Sequence, residues 1–589
     1  MTDKNYINID NLISLGSFEV TEAEKKEFEA ELADFLEYAR VIKSAPQHLA
    51  PASHAVEKEQ LFRSDAIEPN QYLETLLRNA PALQGTSYLV PPLAGGAGTD
   101  EERRAEAVKG KDAVYEVVIG LEVHAQLNTK SKLFCSCPTL FGSDPNSNTC
   151  PVCTGQPGAL PVLNTEAVRM AVMAGLAMNS TINKRSLFAR KNYFYPDLPK
   201  GYQISQFEEP VCTGGSVEIE HKGKINKIRL NRIHIEEDAG KLVHVGAPGI
   251  WGSKASAVDY NRSSVPLIEI VTEPDLSSPD EAREFMIILR AILVSLGISS
   301  GNMEEGNLRC DANISVREKG DAKLGVKVEI KNMNSLKAIE RALAYETARL
   351  EQMKRAGVPI EQETRLWDES GQKTYGMRTK EESHDYRYFP DPDLLPLEIG
   401  EAWIKGLKKT IPPLPLERKK RYEKSHSLAE SEARLLMVNP GYADFFDKAL
   451  GSYDNPRNLA NWIFSELLSY ESDFSRIHID PADFSRFLKK IDSGEISGRI
   501  GKEMLKKAFT EKKGLMEIIE REGVKQITDS AAIEKAVDEV LRSNKKQAEE
   551  YQSGKSKVLG YLVGEVMKAT RGKANPGMVN EMIRKKLGK

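Results

Sequence analysis

Four of the six cysteines of the chain fall within a stretch of nineteen residues. Cys135 and Cys137 form one close pair, and Cys150 and Cys153 form another after twelve intervening residues. Two cysteine pairs across a short loop have the spacing of a tetrahedral four-thiolate zinc site. The intervening Gly, Ser, Asp, Pro and Asn residues favour such a loop. The spacing predicts a zinc-ribbon-like loop, and four reduced thiols without a metal are the alternative.

A second candidate site consists of acidic and histidine side chains in stretches with strand periodicity. In "GLEVHAQL" the two-residue period places Glu122 and His124 on one face. In "HIEED" the same alternation pairs His234 with Glu236. Glu269 lies in the apolar run "PLIEIVTEP", where a carboxylate needs a partner or a metal. Three such strands could converge on Mg²⁺, which prefers oxygen ligands and brings substrate phosphates. An ordinary half-exposed sheet would show the same alternation.

The common nucleotide-binding and hydrolase motifs are absent from the sequence. It contains no G-x-x-x-x-G-K-[ST] and no strand-linked G-x-G-x-x-G. It has no G-x-S-x-G nucleophile elbow, since its match "GISSG" follows a predicted helix and not a strand. Any nucleotide must therefore bind outside the common phosphate loops. Lys191 opens the segment "RKNYFYPDLPKGYQISQF", whose charged and aromatic residues suit nucleotide or aminoacyl contacts. A proline-rich surface loop is the alternative for this segment.

The elements that position these residues are predicted from changes in periodicity along the chain. From Tyr115 to about Lys408 strand and helix patterns mix, which predicts an α+β fold with one large domain over residues 113–408. After "TIPPLPLERKKRY" the strand patterns disappear. We predict an all-helical domain over 409–525 and a small helical tail over 526–589.

The start of the chain has a different character. One strongly amphipathic helix is predicted there, beginning at the capping box Thr21-x-x-Glu24. A single helix buries little surface, so residues 1–92 are predicted to be a helical and extended adaptor that wraps around another structure. Residues 93–112 combine glycine, alanine and scattered charge without an apolar period, which predicts a linker.

Charge restricts the function classes. The formal net charge of −4 over 589 residues does not indicate a general nucleic-acid binder. The segment Tyr551–Lys589 carries nine Lys and Arg against two Glu, a net charge of +7, which suits an RNA backbone or an ordinary solvated surface. The N-terminus lacks the pattern of a signal peptide, and the most apolar helical stretch is too short to cross a bilayer. We expect a cytoplasmic protein without membrane contact.

Several segments together resemble one known family. They are "VIGLEVHAQL", "RKNYFYPDLPKGYQISQF", "RIHIEEDAGK", "PLIEIVTEPD", "MEEGNLRCDANIS", "VEIKNMNS" and "HDYRYFPDPDLLP". In content and order they are similar to the B subunits of aspartyl/glutamyl-tRNA(Asn/Gln) amidotransferases, from about Tyr115 to Lys589. The first ninety or so residues resemble the small C subunit of the same enzymes, through the capped helix, "LFRSDAIEP" and "YLVPPL". The chain thus resembles a fusion of C and B subunits joined at the predicted linker.

The resemblance implies a ligase activity in translation, with glutamine as amido-nitrogen donor. Enzymes of this family convert Glu on tRNA(Gln), or Asp on tRNA(Asn), into the amide. The B subunit phosphorylates the side-chain carboxylate with ATP and Mg²⁺, and ammonia then displaces the phosphate. An acyl phosphate has a good leaving group, and the protein mainly positions the reactants and neutralises charge.

The resemblance also implies partners and a fold. In these enzymes the ammonia comes from the amidase component, a separate polypeptide whose Gly/Ser-rich signature is absent from this sequence. A separate amidase is therefore expected as a partner, clasped by the C-like segment, with misacylated tRNA as the substrate. The implied fold is a mixed α+β cradle, a helical domain and a helical tail that contacts tRNA.

Carried over residue by residue, the resemblance places the catalytic Mg²⁺ and phosphate site at Glu122, His124, Glu237 and Glu269. The choice of Glu237 requires a bulge or turn in "EED", because strand alternation pairs His234 with Glu236. Lys191 and Arg387 are assigned to contacts with ATP or substrate.

The cysteines then have a structural role, since a closed four-thiolate zinc site leaves no position open for substrate. Two other functions fit parts of the sequence. A non-catalytic zinc-ribbon scaffold that binds RNA would not need the acidic residues. A free-standing amino-acid amide ligase would not need the basic tail.

Overall fold

The computed structural model describes residues 25–26, 62–67, 83–84, 87–90, 114–245, 255–379, 386–474, 476–523, 530–570 and 574–588. The predicted helix that starts at Thr21 lies outside the described residues except at Lys25 and Lys26, which are helical. The predicted linker 93–112 lies wholly outside them. Residue contacts divide the chain into two units, Met1–Pro412 and Pro413–Lys589.

The first unit combines strands with a few helices. Its strands are β1 Phe62–Arg63, β2 Leu83–Gln84, β3 Ser87–Val90, β4 Tyr115–Gln126, β5 Leu163–Asn164, β6 Thr181–Ile182, β7 Arg185–Ser186, β8 Ala189–Asn192, β9 Tyr202–Ser205, β10 Cys212–Thr213, β11 Ser216–His221, β12 Lys224–Glu237, β13 Lys241–Val245, β14 Ala255–Asp259, β15 Pro266–Thr272, β16 Leu308–Glu318, β17 Val328–Met333, β18 Glu363–Asp368, β19 Lys373–Thr379, β20 Phe389–Pro390 and β21 Leu397–Glu398. Its helices are α1 Thr165–Ala177, α2 Pro279–Ser295, α3 Leu336–Arg355 and α4 Glu401–Lys408.

The largest sheet has ten strands and is built around β4. Its order is β19-β18-β17-β16-β4-β15-β12-β10-β6, with β11 paired to β12. β4 runs antiparallel to both of its neighbours, β16 and β15. Its odd-numbered residues Ile119, Leu121 and Val123 are almost fully buried. Alternation therefore gives the central strand one apolar face and one face that carries its polar side chains.

Helices cover the apolar face of this sheet. α1 packs so closely on β10 that a side chain at Gly175 would collide with the thiol of Cys212. α1 begins at Asn164, whose side chain accepts a hydrogen bond from the amide of Glu166 at 3.0 Å. Such N-cap bonds satisfy amide groups that a helix end leaves unpaired. With the apolar face occupied, functional groups can only be exposed on the polar face.

The described parts of the N-terminal segment lie against the rest of the first unit. β1 pairs in parallel with β5, and β2 and β3 join β13 and β14 in a four-stranded sheet. Asp65 accepts hydrogen bonds from the backbone amides of Lys130 and Ser131 at 2.6 and 2.7 Å. This segment is therefore anchored beside the start of the cysteine loop.

The second unit is helical among its described residues. The elements are α5 Pro415–His426, α6 Glu430–Val438, α7 Pro440–Leu450, α8 Pro456–Trp462, a π-helical turn Ile463–Leu467, α9 Leu468–Tyr470, α10 Pro481–Asp492, α11 Gly498–Glu511, α12 Leu515–Glu522, α13 Ser530–Ser543, α14 Lys545–Gln552, α15 Val558–Ala569 and α16 Pro576–Leu587. One apolar core is formed by residues between Tyr422 and Ile519, and a second by residues between Ile533 and Ile583.

The prediction of a mixed α+β fold followed by an all-helical region is confirmed. The finer assignments, a cradle, a zinc ribbon and the domain boundaries at 408 and 525, stay predictions. Among the helices of the described residues, none has the length and apolar character that crossing a membrane requires.

Candidate functional site

The register of the large sheet brings four polar side chains into one row. Glu269 on β15 lies opposite His124 on β4 and opposite His234 on β12. Arg309 on β16 lies opposite His124 from the other side. Side chains directly opposite each other in antiparallel strands share a face of the sheet. The four therefore cross the polar face as Arg309, His124, Glu269 and His234.

Glu236 on β12 completes a cluster of possible metal ligands on this row. The Nε2 atom of His124 lies 3.4 Å from Oε1 of Glu236 and 3.2 Å from Oε2 of Glu269. One ligand atom from each of the three residues lies within 4.8 Å of the others. Glu236 is 3% exposed and Glu269 is 8% exposed, so both carboxylates need partners that compensate their charge.

The charges in this cluster stabilise one another. Burial opposes the ionisation of Glu269, but the charges of His234, His124 and Lys191 hold its pKa well below the usual value. Burial would likewise lower the pKa of His124, yet its hydrogen bond to Glu269 and the nearby carboxylates raise that pKa to about 9. The carboxylates are therefore ionised at neutral pH, and His124 carries a proton that a bound metal ion would displace.

The geometry of the three ligands fits a hard divalent cation. Adjacent ligands of an octahedral Mg²⁺ ion lie about 3 Å apart, given bonds of about 2.0–2.1 Å. The separations of 3.2 and 3.4 Å from His124 are close to that spacing. Three protein ligands would leave positions for water or phosphate oxygens, as Mg²⁺ sites that act on nucleotides require.

Positive side chains surround the carboxylates. Nη2 of Arg232 lies 3.5 Å from Oε1 of Glu269. Arg309 is held by Asp238, which accepts a hydrogen bond from its Nη2 atom at 2.8 Å, and its Nε atom is buried without a hydrogen-bond partner. Cations beside a carboxylate cluster that could hold a metal ion suit the binding of a phosphate group.

Lys191 lies between aromatic rings beside the cluster. Its ammonium is 5.5 Å from the ring centre of Tyr193 and 4.7 Å from that of Tyr386. Burial would lower the pKa of Lys191, but Tyr388 and the carboxylates of Glu236 and Glu269 raise it above the usual value. Lys191 is therefore a permanent cation near the carboxylates.

The structure places the other predicted residues differently. Glu122 lies two residues from His124 on the same face, and its Oε1 accepts a hydrogen bond from Asn313 at 2.8 Å. It is not among the three residues whose ligand atoms come together in the described part of the chain. Arg387 is exposed, and its backbone carbonyl accepts a hydrogen bond from Asn192 at 2.9 Å.

Glu237 lies on the opposite face of β12 from Glu236. The bulge expected in "EED" is absent: pairing with β15 is regular from Arg232 to Glu237, and the register shift occurs earlier, between Leu230 and Arg232. Glu237 forms an ion pair with Lys200 and accepts a hydrogen bond from the amide of Ile204 at 2.8 Å. Glu236, and not Glu237, therefore shares the face of β12 with His234 and lies beside His124.

Sequence reasoning missed Arg232 and Arg309 as members of the site. Both follow the same two-residue alternation as the acidic residues. Arg232 precedes His234 and Glu236 on β12, and Arg309 precedes Asp311 on β16. The alternation therefore carries a signal for these cations, but it does not show which strands are neighbours.

The four cysteines form a second cluster in the first unit. One Sγ atom from each of Cys135, Cys137, Cys150 and Cys153 lies within 4.8 Å of the others. Sulfur atoms around a tetrahedral zinc ion lie about 3.8 Å apart for bonds of about 2.3 Å. The distance of 3.9 Å between Cys150 and Cys153 fits this geometry.

A fully buried lysine compensates charge at the cysteine cluster. The ammonium of Lys132 lies 3.5 Å from Sγ of Cys153 and donates a hydrogen bond to the carbonyl of Tyr260 at 3.1 Å. The thiols of Cys135, Cys137 and Cys150, followed by the charge of Lys132, hold the pKa of Cys153 well below its usual value. The donor set is thus suited to a metal that binds thiolate.

Comparisons with known proteins match three segments of the chain to domain families. Residues 117–405 match the GatB/GatE catalytic domain, and residues 444–587 match a further GatB domain. Residues 20–90 match the Glu-tRNAGln amidotransferase C subunit. The three matches follow one another in a single polypeptide.

Curated proteins similar to this chain are named as B subunits of aspartyl/glutamyl-tRNA(Asn/Gln) amidotransferases. The protein from Carboxydothermus hydrogenoformans is 49% identical over 479 residues, which is 81% of this chain and 99% of that protein. The protein from Persephonella marina is 48% identical over 80% of this chain and 99% of its own length. The protein from Geotalea uraniireducens is 49% identical over the same shares.

Proposed function

This chain belongs to the family of aspartyl/glutamyl-tRNA(Asn/Gln) amidotransferase B subunits, with a C-subunit domain ahead of it, and we propose that it phosphorylates its aminoacyl-tRNA substrate. The substrate is Glu on tRNA(Gln), Asp on tRNA(Asn), or both. ATP is the phosphoryl donor. The observation that carries the proposal is the cluster of His124, Glu236 and Glu269 among cations on the polar face of the sheet.

The reaction has two balanced steps. A side-chain carboxylate oxygen of the esterified amino acid attacks the γ-phosphorus of ATP, and ADP leaves. Ammonia then attacks the carbon of the acyl phosphate, and the phosphate leaves with the former carboxylate oxygen. The incoming nitrogen loses a proton to solvent and becomes the amide. The first step creates the leaving group that a carboxylate lacks.

The residues of the site have distinct roles in this proposal. His124, Glu236 and Glu269 would hold Mg²⁺, which supplies charge neutralisation for the phosphates of ATP. Arg232, Arg309 and Lys191 differ from these ligands in carrying permanent positive charge. They bind phosphate oxygens and stabilise the charge that develops during transfer. Because they are fixed by neighbouring carboxylates or rings, they need little reorganisation.

Other parts of the chain support assembly in this proposal. The four cysteines would hold zinc and so fix the loop that Asp65 of the C-subunit domain contacts at its start. A separate amidase supplies the ammonia, and the C-subunit domain clasps it. The exposed residues Lys555, Lys557, Arg584 and Lys585 of the helical tail contact the tRNA backbone.

The three-ligand cluster argues against a non-catalytic scaffold. Two ionised carboxylates that are less than a tenth exposed are costly to keep without a partner cation. A protein that only bound RNA through a basic tail would gain nothing from them. Apolar residues at these positions would give a scaffold a more stable sheet.

An amidation assay tests the proposal. We expect the full chain, given Glu-tRNA(Gln), ATP, Mg²⁺ and ammonium chloride, to form Gln-tRNA(Gln) and ADP in equal amounts. Because the chain has no amidase signature, glutamine should replace ammonium only after a separate amidase is added. The same assay on Asp-tRNA(Asn) defines the amino-acid specificity. Hydrolysis of glutamine by the chain alone, or amidation without ATP, would overturn the proposed division of labour.

A further inference from the structure

Large aromatic side chains gather on the surface beside the three-ligand cluster. We call them the aromatic platform: Tyr193, Tyr195, Phe207, Tyr386 and Tyr388. Tyr195 and Phe207 are 40% and 43% exposed, and Phe194, which precedes Tyr195 in the sequence, is 78% exposed. Scattered apolar residues are common on protein surfaces, but a contiguous exposed aromatic group marks a binding surface.

Contacts among the rings fix the platform. The rings of Phe207 and Tyr388 stack with centres 4.3 Å apart and planes inclined by 5°. The ring of Tyr386 meets those of Tyr193 and Tyr388 edge to face, at 5.9 and 6.1 Å. These arrangements are favourable for aromatic pairs. The rings are therefore preorganised, which lowers the entropy cost of binding a further flat group.

Phe194 is held although it is exposed. Its ring lies over the backbone of Gly201, where an added methyl group would come within 3.1 Å of a ring carbon. Gly201 has a φ of +72°, which a glycine adopts without strain. The close approach of ring and backbone thus explains a glycine at this position and keeps the ring on the surface.

Strand β9 connects the platform to the ligand cluster. The hydroxyl of Tyr193 donates a hydrogen bond to Gln203 at 3.2 Å. Ser205, two residues further along β9, donates a hydrogen bond to Oε2 of Glu236 at 3.3 Å. Burial and the charges of Glu236 and Glu269 raise the pKa of Tyr388 to about 12, although the charge of Lys191 acts to lower it. Two buried side chains of β9, Gln203 and Ser205, thus link the platform to the ligand cluster.

We propose that the aromatic platform stacks the unpaired base of the 3′-terminal nucleotide of the aminoacyl-tRNA. Every base offers a flat π-face to an aromatic side chain, and unpaired RNA ends are recognised in this way. Tyr193 and Tyr386 hold Lys191 between them, which places one of the proposed phosphoryl-transfer cations at the edge of the platform. The inference rests on the proposed function, since only that function brings an aminoacylated tRNA end to this surface.

The geometry of the substrate favours this occupant. The amino acid is esterified to the ribose that carries the terminal base, and its side-chain carboxylate must reach the ligand cluster. The base therefore lies one ribose away from the reacting group, and the platform lies beside β9, whose Ser205 contacts Glu236. The adenine of ATP suits a concave site, and Glu122 lines a cavity of about 260 Å³ whose walls include Val271, Pro274 and Leu324.

The test replaces two stacked rings by leucine, which keeps apolar volume but removes the π-face. The double variant Phe207→Leu/Tyr388→Leu is compared with Tyr375→Leu, a half-exposed tyrosine on the edge strand β19. Amidation is measured with ammonium as nitrogen donor. We expect the KM for Glu-tRNA(Gln) to rise about tenfold in the double variant, with the KM for ATP within about twofold of the wild type. The control variant Tyr375→Leu should have the wild-type KM for both Glu-tRNA(Gln) and ATP.

A second readout reports stacking directly. A tRNA(Gln) that ends in the fluorescent base 2-aminopurine should lose fluorescence on binding the wild type and Tyr375→Leu, but not on binding the double variant. Unchanged quenching in the double variant, or a rise only in the KM for ATP, would overturn the inference. If the wild type itself formed no Gln-tRNA with ATP and ammonium, the proposed function would fail. An active wild type with an unaffected double variant would refute the platform alone.

Discussion

Replacing Glu236 by glutamine should lower the rate of ATP-dependent amidation about a thousandfold. The substitution keeps the shape and the hydrogen bond from Ser205 but removes the charge of one cation ligand. A bound cation stabilises the charge of the transition state by several kcal/mol. Losing ~4 kcal/mol of this stabilisation lowers the rate by about three decades. Binding of tRNA should stay within about twofold, because its affinity comes mainly from backbone contacts.

A matched substitution at the next residue tests whether Glu236 or Glu237 is the cation ligand. Glu237→Gln should keep most of the amidation rate and bind Mn²⁺, used as a spectroscopic substitute for Mg²⁺, as the wild type does. It should lower the thermal stability, because Lys200 and Glu237 form a largely buried ion pair. Mn²⁺ binding followed by electron paramagnetic resonance should weaken at least about tenfold in Glu236→Gln. Glu318→Gln, at an exposed position of β16, controls for loss of a carboxylate from this sheet. Weakened Mn²⁺ binding in Glu237→Gln with normal binding in Glu236→Gln would contradict the geometric assignment.

Replacing Cys153 by serine should release zinc and loosen the cysteine loop. Structural zinc contributes roughly 10–16 kcal/mol to the folding of isolated zinc fingers, and a loop tied to a larger sheet should lose several kcal/mol of local stability. We expect metal analysis to find one zinc per wild-type chain and less than about a tenth in the variant. Hydrogen exchange should become faster in residues 130–164, which include β5 and the contact of Asp65.

The remaining cysteines provide the control for this experiment. Cys212 is fully buried beside α1, and burial raises the pKa of its thiol. Cys212→Ala should therefore keep the zinc and the slow exchange of residues 130–164, at a modest cost in global stability. A wild-type chain that is purified under reducing conditions without zinc, yet shows slow exchange in this loop, would contradict a structural metal site.

Local patterns were sufficient to predict the class of structure in the mixed α+β part and in the helical part that follows it. The alternation of β4 and the helix that begins at Pro279 are strong periodic signals, and both elements are present. The spacing of the four cysteines also predicted a cluster, since two close pairs on one loop have few ways to be arranged. In each case the information lies within one short segment.

The composition of the ligand cluster could not be predicted in the same way. Whether Glu236 or Glu237 faces His124 depends on whether β12 has a bulge near its end, and the sequence does not show where pairing shifts by one residue. Arg309 joins the site because β16 pairs with β4 across a separation of nearly two hundred residues. Such neighbours are set by the topology of the whole sheet.

The position of the N-terminal segment is a further result that required the structure. The motif "LFRSDAIEP" is short and mixes apolar with charged residues, so periodicity gave no partner for it. In the structure Arg63 donates hydrogen bonds to Ser131, at 2.7 Å, and to the carbonyl of Lys132. Charged side chains therefore hold the segment by forming hydrogen bonds to the backbone of the loop. A hydrophobic pattern does not predict such bonds.

The central claim is that this chain transfers a phosphoryl group to the side-chain carboxylate of the tRNA-bound amino acid. The most direct measurement uses Glu-tRNA(Gln) labelled with ¹⁸O in both side-chain carboxylate oxygens. After amidation with ATP and ammonium, mass spectrometry should find one ¹⁸O atom in the inorganic phosphate for each Gln-tRNA formed, and none in the nucleotide. Phosphate without label, or label recovered in AMP, would contradict the account.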